Sequence, residues 1–190
     1  MTEFQLTHPP PVITKRADCD YYPTPSWCVR LLLDACPPPG DVVLEPSAGE
    51  GGIVSVLVER GLDVIACEVR PECWPALFAA GALEVIEGDF LTVAPPTGFP
   101  IIGNPPYSHA VEHADRCLRS GAPYVALLLR LGFLESETRA AWNNAHPPTQ
   151  LLVLGKRPSF TNDGKTDGTA YAWFIWEPGK PPRAPRVLLP

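Results

Sequence analysis

Asp41-Val42-Val43-Leu44-Glu45-Pro46-Ser47-Ala48-Gly49-Glu50-Gly51-Gly52 is an apolar run closed by an acid, a proline and a glycine-rich turn, and a helical pattern follows from Ile53 to Arg60. Strand, glycine turn and helix in that order predict the first βα unit of a doubly wound sheet, whose ligands bind outside the carboxyl ends of the strands. Glycine lets the backbone approach a ligand closely and adopt positive φ. The dinucleotide fingerprint G-x-G-x-x-G needs a third glycine or alanine at position 54, where Val54 stands. Glu45 and Glu50 would also repel a pyrophosphate, whereas an acid at this turn suits a ligand with a cationic end.

Working outward, Asp63 to Cys67 reads as a second strand ending in Glu68. That carboxylate lies about 20 residues beyond the glycine loop, where it can take the ribose hydroxyls of a nucleoside. Pro71 to Ala80 reads as a helix and Leu83 to Glu87 as a third strand, followed by Gly88-Asp89-Phe90 and a proline-rich loop over 92–100. Phe99 to Ile102 and Gly103 deliver Asn104-Pro105-Pro106-Tyr107 to the same sheet edge. Tyr124 to Leu129, ending in Arg130, is a fifth strand, Glu135 to Ala145 a helix with Trp142 on its buried side, and Gln150 to Leu154 a sixth strand. Alternating β and α elements require a parallel sheet. A polar hairpin runs from Lys156 to Gly168, and Ala170 to Trp176 returns as an aromatic strand.

Two consecutive prolines fix two φ angles and bias each preceding residue toward extended backbone, so Asn104 and Pro105 present their carbonyls rigidly. Asn104 adds a side-chain carbonyl, and the Pro105 oxygen lacks a ladder partner if the strand has ended. Such a pair wants a planar ligand bearing an NH2 group, and Tyr107 offers a ring on which it can stack. Upstream, Tyr22-Pro23-Thr24-Pro25 leads into a helical pattern from Trp27 to Ala35, which Thr24 or Ser26 could cap.

Asn104-Pro105-Pro106-Tyr107 resembles the (D/N/S)-P-P-(Y/F/W) motif of the S-adenosylmethionine-dependent amino-methyltransferases, familiar as DNA adenine-N6 and cytosine-N4 enzymes. Glu45-Pro46-Ser47-Ala48-Gly49-Glu50-Gly51 resembles their D/E-P-x-x-G-x-G signature, Tyr22 to Pro25 their upstream (F/Y)-x-T-P element, and Gly88-Asp89-Phe90 their G-D-(F/A/I) element. Five such features, Glu68 among them, occur in family order. The resemblance implies a class I methyltransferase fold: a seven-stranded, mostly parallel sheet with an antiparallel last strand and helices on both faces. It implies that S-adenosylmethionine is held by Tyr22, Thr24, Pro25, Glu45, Pro46, Ser47, Ala48, Gly49, Gly51, Glu68, Val69, Asp89, Phe90 and Asn104. Asn104, Pro105, Pro106 and Tyr107 would be catalytic, with Tyr107 and the hairpin residues Lys156, Arg157 and Phe160 on the substrate. The implied reaction is methyl transfer to the N6 amine of adenine in DNA. RNA, cytosine N4 and protein glutamine are the alternatives, and a catalytically inactive cofactor- or nucleic-acid-binding module is the non-enzymatic one. No segment is long enough for a separate target-recognition region, which leaves a short or relaxed specificity, a homodimer that supplies the missing contacts, or an RNA substrate.

A chain of 190 residues, 45% hydrophobic, fits one domain with a sizeable core. The expected division is an irregular arm over 1–19, the catalytic domain over 20–177 and a mobile proline-rich tail over 178–190. No apolar run reaches membrane-span length and no signal-peptide pattern is present, so a cytosolic protein without membrane contact is expected. Six cysteines without a C-x-x-C pair argue against a zinc site or disulfide framework. His109-Ala110-Val111-Glu112-His113 matches H-x-x-E-H, read either as a metal pattern or as solvated or substrate-facing histidines; with no supporting ligands nearby, no metal is expected. A formal charge of −6 requires any nucleic-acid footprint to be local.

Overall fold

A computed structural model describes residues 23–160 and 168–190. Tyr22, Cys19 and Lys165 therefore lie outside the described residues, as does the arm over 1–19. An eight-stranded sheet runs in the order β3-β2-β1-β4-β5-β7-β6-β8. Its strands are β1 (Val42–Glu45), β2 (Asp63–Glu68), β3 (Glu84–Glu87), β4 (Ile101–Gly103), β5 (Val125–Arg130), β6 (Gln150–Leu154), β7 (Tyr171–Trp176) and β8 (Arg186–Leu188). The helices are α1 (Ser26–Ala35), α2 (Gly52–Glu59), α3 (Trp74–Ala79), α4 (Ala110–Arg119) and α5 (Glu137–Ala145). No helix among the described residues is long and apolar enough to cross a membrane.

Strands β1 to β5 are parallel, with β1 between β2 and β4. The chain thus reverses its direction of travel across the sheet at β1, and this switch point opens a crevice at the carboxyl ends. Side chains alternate between the two faces. Val43, Val64, Ile102, Ala126 and Leu128 pack with α1 and α2 residues such as Leu32 and Leu57, while Leu44, Ile65, Ile101, Val125 and Leu127 pack with Ala114 and Cys117 of α4. Burial on both faces explains why β5 and β7 are continuous apolar runs.

Three local expectations change. Pro71 and Pro75 split the predicted helix over 71–80: a 3-10 turn covers Pro71–Cys73 and α3 starts at Trp74, because a proline lacking N–H is accommodated only in a first turn. Neither Thr24 nor Ser26 caps α1; Pro25 holds the N-cap position without a side-chain bond. The segment expected as a mobile tail carries β8, parallel to β6 and anchored by Gly155 N–H to the Leu188 carbonyl at 2.8 Å. The antiparallel strand is accordingly β7, between β5 and β6, and not the last one. Glu177, 5% exposed, ties this segment down through ion pairs with Lys180 and Arg183.

Candidate active site

β1 and β4 stop at the same edge and hand over to Glu45-Pro46 and Asn104-Pro105-Pro106. Gly103 lets these turns touch: a Cβ there would lie 2.8 Å from Pro46 Cδ and 3.0 Å from Cγ. The proline ring cannot swing aside, so Gly103→Ala is expected to cost about 1–3 kcal/mol of stability, as overpacking does. Urea unfolding of the variant beside the wild type would check this.

A cleft of about 530 Å³ opens between these turns. Thr24, Glu45, Pro46, Ser47, Ala48, Gly49, Glu68, Val69, Asp89, Phe90, Asn104 and Pro106 all line it. The glycine turn is docked on the end of β2: Ala48 N–H donates to the Cys67 carbonyl at 3.0 Å, and Gly49 N–H to Glu68 Oε2 at 2.6 Å. Glu68 Oε1 accepts from the Arg70 N–H and Nε, each at 2.9 Å. Gly49 has φ 57° and Gly51 φ 85°, values that favour glycine. Their tasks differ. Gly49 lines the cleft, whereas a Cβ at Gly51 would fall 3.0 Å from Ala80 Cβ, so Gly51 serves the packing of α2 on α3. Pro25 does not line the cleft either.

Glu45 is 1% exposed, and its Oε2 has no hydrogen-bond partner. Burial holds its carboxyl well above the usual carboxylate range, the Glu68 charge adds to this, and a hydrogen bond from the Val54 backbone opposes it. Asp89 spends Oδ1 on the Leu91 N–H at 2.9 Å. Val69, 51% exposed, lays an apolar surface on the rim. Phe90 is buried, stacked on His113 at 5.6 Å, with the Arg116 guanidinium 5.4 Å from its centroid. Arg116 also donates to the carbonyls of Leu91 and Val93, so α4 fixes the loop after Asp89.

Asn104 Nδ2 donates to Thr24 Oγ1 at 3.0 Å, which ties the segment before α1 to the Asn-Pro-Pro turn. Gly52 allows the same closeness from below, since a Cβ there would be 3.1 Å from the Thr24 carbonyl oxygen. Pro105 is buried beyond the last ladder pair, Gly103 with Leu127. Tyr107 is absent from the main cleft. Its hydroxyl turns inward to Tyr171 and Asn104 and is pushed above its ordinary pKa by burial first and by Tyr171 second, with Arg130 and the Asn104 bond opposing. The Arg130 guanidinium lies 4.6 Å from its ring centroid. Tyr107 lines a second cleft of about 250 Å³, with Arg130, Phe133, Arg139 and Thr169, and Ser108 borders both clefts.

The hairpin residues stand apart. Lys156 and Arg157 follow β6 at the same sheet edge and are exposed, with Lys156 Nζ 5.9 Å from the Trp27 ring centroid, but they line neither cleft. Phe160 is not at a hairpin tip: it is 6% exposed, edge-on to Tyr171 at 5.1 Å. Among the described residues no group of three His, Cys, Asp or Glu side chains is placed to hold a metal ion.

No known family profile matches the chain. It is 36% identical over 96 residues to an rRNA methyltransferase of Streptomyces thermotolerans, a stretch of 48% of this chain and 32% of that protein. The chain spans about a third of the length of the curated relatives it matches. Among solved structures it aligns with a dimethyladenosine transferase of Plasmodium falciparum at TM-score 0.61 and 16% identity, over 83% of this chain and 63% of that one. It aligns with a modification subunit of a candidate type I restriction enzyme of Vibrio vulnificus at TM-score 0.65 and 15% identity, over 87% and 46%. The chain has the Rossmann-like fold of the S-adenosylmethionine-dependent methyltransferases.

Proposed function

We propose that the chain transfers a methyl group from S-adenosylmethionine to the N6 amine of adenine in RNA. The observation that carries this reading is the excess of acceptors in the main cleft. Glu45, Glu68, Asp89 and Asn104 converge there, with Glu45 Oε2 buried and unpaired. Such a cleft complements a ligand rich in donors and positive charge: an ammonium for Glu45, ribose hydroxyls for Glu68, an adenine amine for Asp89 between Val69 and Phe90. The bound cofactor supplies a methyl group on a cationic sulfonium. The chain's own part is to place the acceptor. Asn104 and Pro105 take the two hydrogens of the amine, whose lone pair is otherwise delocalised into the ring, and this contact strengthens as the nitrogen becomes pyramidal.

The acceptor base approaches from the second cleft, where Tyr107 presents its ring and Ser108 leads to the first. Arg130 covers a face of that ring, so the base either displaces the guanidinium or stacks on it, as bases do on arginine planes. RNA is preferred to the DNA expected from the motifs because the curated relatives are rRNA methyltransferases. An unpaired RNA adenine also needs no extrusion from a duplex.

Incubation with methyl-labelled cofactor and separate RNA, DNA and protein pools tests the reading. Label in RNA, recovered as N6-methyladenosine after digestion, is the expected result. Label confined to DNA moves the acceptor to DNA, and label in protein or in no pool overturns the proposal.

A further inference from the structure

His113 of α4 is 4% exposed and lines the main cleft. Its Nδ1 lies 3.0 Å from the His109 carbonyl oxygen one turn earlier. A carbonyl only accepts, so Nδ1 carries the proton and Nε2 of the neutral ring is an acceptor. The bond to His109 is the one hydrogen bond His113 makes among the described residues, and Nε2 is not one of the buried atoms left without a partner, so it is open to the cleft. The ring is held by its stack on Phe90 at 5.6 Å and 25°. Burial first, then nearby His109, lowers its pKa below the ordinary value, against the His109 carbonyl bond, Asp89 and Glu112; Arg116, three residues on along α4, lies on the same Phe90 ring. A buried histidine tied to a carbonyl is commonly a packing element; here the ring also lines the cleft, so its second nitrogen is available to a ligand as an acceptor.

We propose that His113 Nε2 accepts a hydrogen bond from the exocyclic amine of the cofactor's adenine, so that Asp89 and His113 together receive both amine hydrogens. This rests on the reading that the main cleft holds S-adenosylmethionine. Selectivity follows. A 6-oxo purine presents a carbonyl to two acceptors and is rejected, because the site's polar groups are then left unpaired. So does a pH dependence. Protonated His113 presents an Nε2–H to a donor, so affinity is present above the histidine pKa and lost as pH falls through it.

Calorimetry with S-adenosylhomocysteine and S-inosylhomocysteine, from about pH 5 to about pH 8, tests this on the wild type, His113→Phe and His113→Gln. Wild type should prefer the adenosyl ligand and lose that preference at the acid end. His113→Phe keeps the stack on Phe90 and should bind the adenosyl ligand about 3- to 10-fold more weakly, with the inosyl ligand little changed and no histidine acid limb. His113→Gln restores an acceptor and should recover part of the preference without the acid limb. A preference and pH profile unchanged in His113→Phe overturn the inference while leaving cofactor binding intact. If that variant does not fold, an unaltered wild-type preference across the acid range overturns it instead. A wild type that binds neither ligand overturns this inference and the proposed function together.

Discussion

Asn104→Ala is expected to lower the rate of methyl transfer by about 10²–10³-fold, the loss typical of removing one group that stabilises a transition state. Besides its contact with the Tyr107 hydroxyl, Asn104 has two tasks. Its amide nitrogen holds Thr24, and its side-chain oxygen is offered to the acceptor amine under the proposed mechanism. Losing the first loosens the segment before α1 and should weaken cofactor binding only a few-fold, since one neutral hydrogen bond contributes about 0.5–1.5 kcal/mol. Losing the second removes a contact that matters most as the nitrogen becomes pyramidal, so the deficit falls on kcat at saturating cofactor and acceptor. Thr24→Val separates the two: it breaks the tie, leaves the acceptor oxygen, and should show the weaker binding with little loss of kcat. Single-turnover transfer from labelled cofactor reads both variants, and an Asn104→Ala protein with normal kcat would remove the mechanism.

Glu45→Gln should stabilise the free protein and weaken its hold on the cofactor. In the fold the Glu45 carboxyl has its pKa raised, by burial first and by Glu68 second. A carboxyl that titrates higher folded than unfolded binds more protons in the native state over the interval between the two values. Stability therefore falls as pH rises through that interval, and the penalty stays constant above the folded value. Glutamine carries no such penalty, so the variant's advantage should be absent at acid pH and grow toward neutrality. The cofactor reverses the balance. An ammonium beside Oε2 favours the carboxylate, so wild-type binding should release a proton and tighten with rising pH until the folded carboxyl is ionised. Glu45→Gln should bind about tenfold or more weakly, the loss of a charge-assisted hydrogen bond, and should lose the tightening tied to the Glu45 carboxyl while keeping the acid limb assigned to His113. Thermal unfolding against pH, and calorimetry in buffers of different ionisation enthalpy, check the two halves separately.

The main cleft was legible in the sequence because its groups come from strand ends, and a strand end is marked by where an apolar run stops. Glu45, Glu68, Asp89 and Asn104 each follow such a run, and the sheet brings them together in the order of its strands. Orientation was not legible. Tyr107 follows the same motif, yet its hydroxyl turns toward Tyr171, a partner set by the antiparallel pairing of β7 with β5. Gly51 belongs to the glycine signature but faces Ala80, because positive φ and close approach can serve packing as well as a ligand. The polar neighbours of Phe160 in the hairpin suggest an exposed ring, while the ring finds more apolar contact beneath, on Tyr171. Strand β8 is three residues long, too short for periodicity, and its anchorage depends on Gly155, far from it in sequence, and on the ion pairs of Glu177. Gly103 and Arg116 carried no motif, and His113 stood out only through the H-x-x-E-H pattern, which says nothing of Phe90. Only the juxtaposition of Gly103 with Pro46, of Arg116 with the loop after Asp89 and of His113 with Phe90 gives them a task.

The most direct test is a crystal structure of the protein soaked with S-adenosylhomocysteine. The account predicts the ligand in the main cleft, its amino group against Glu45 Oε2, its ribose at Glu68, its adenine between Val69 and Phe90, and its sulfur facing Asn104. A ligand lodged away from Glu68 and Asp89, or in the second cleft beside Tyr107, would contradict it.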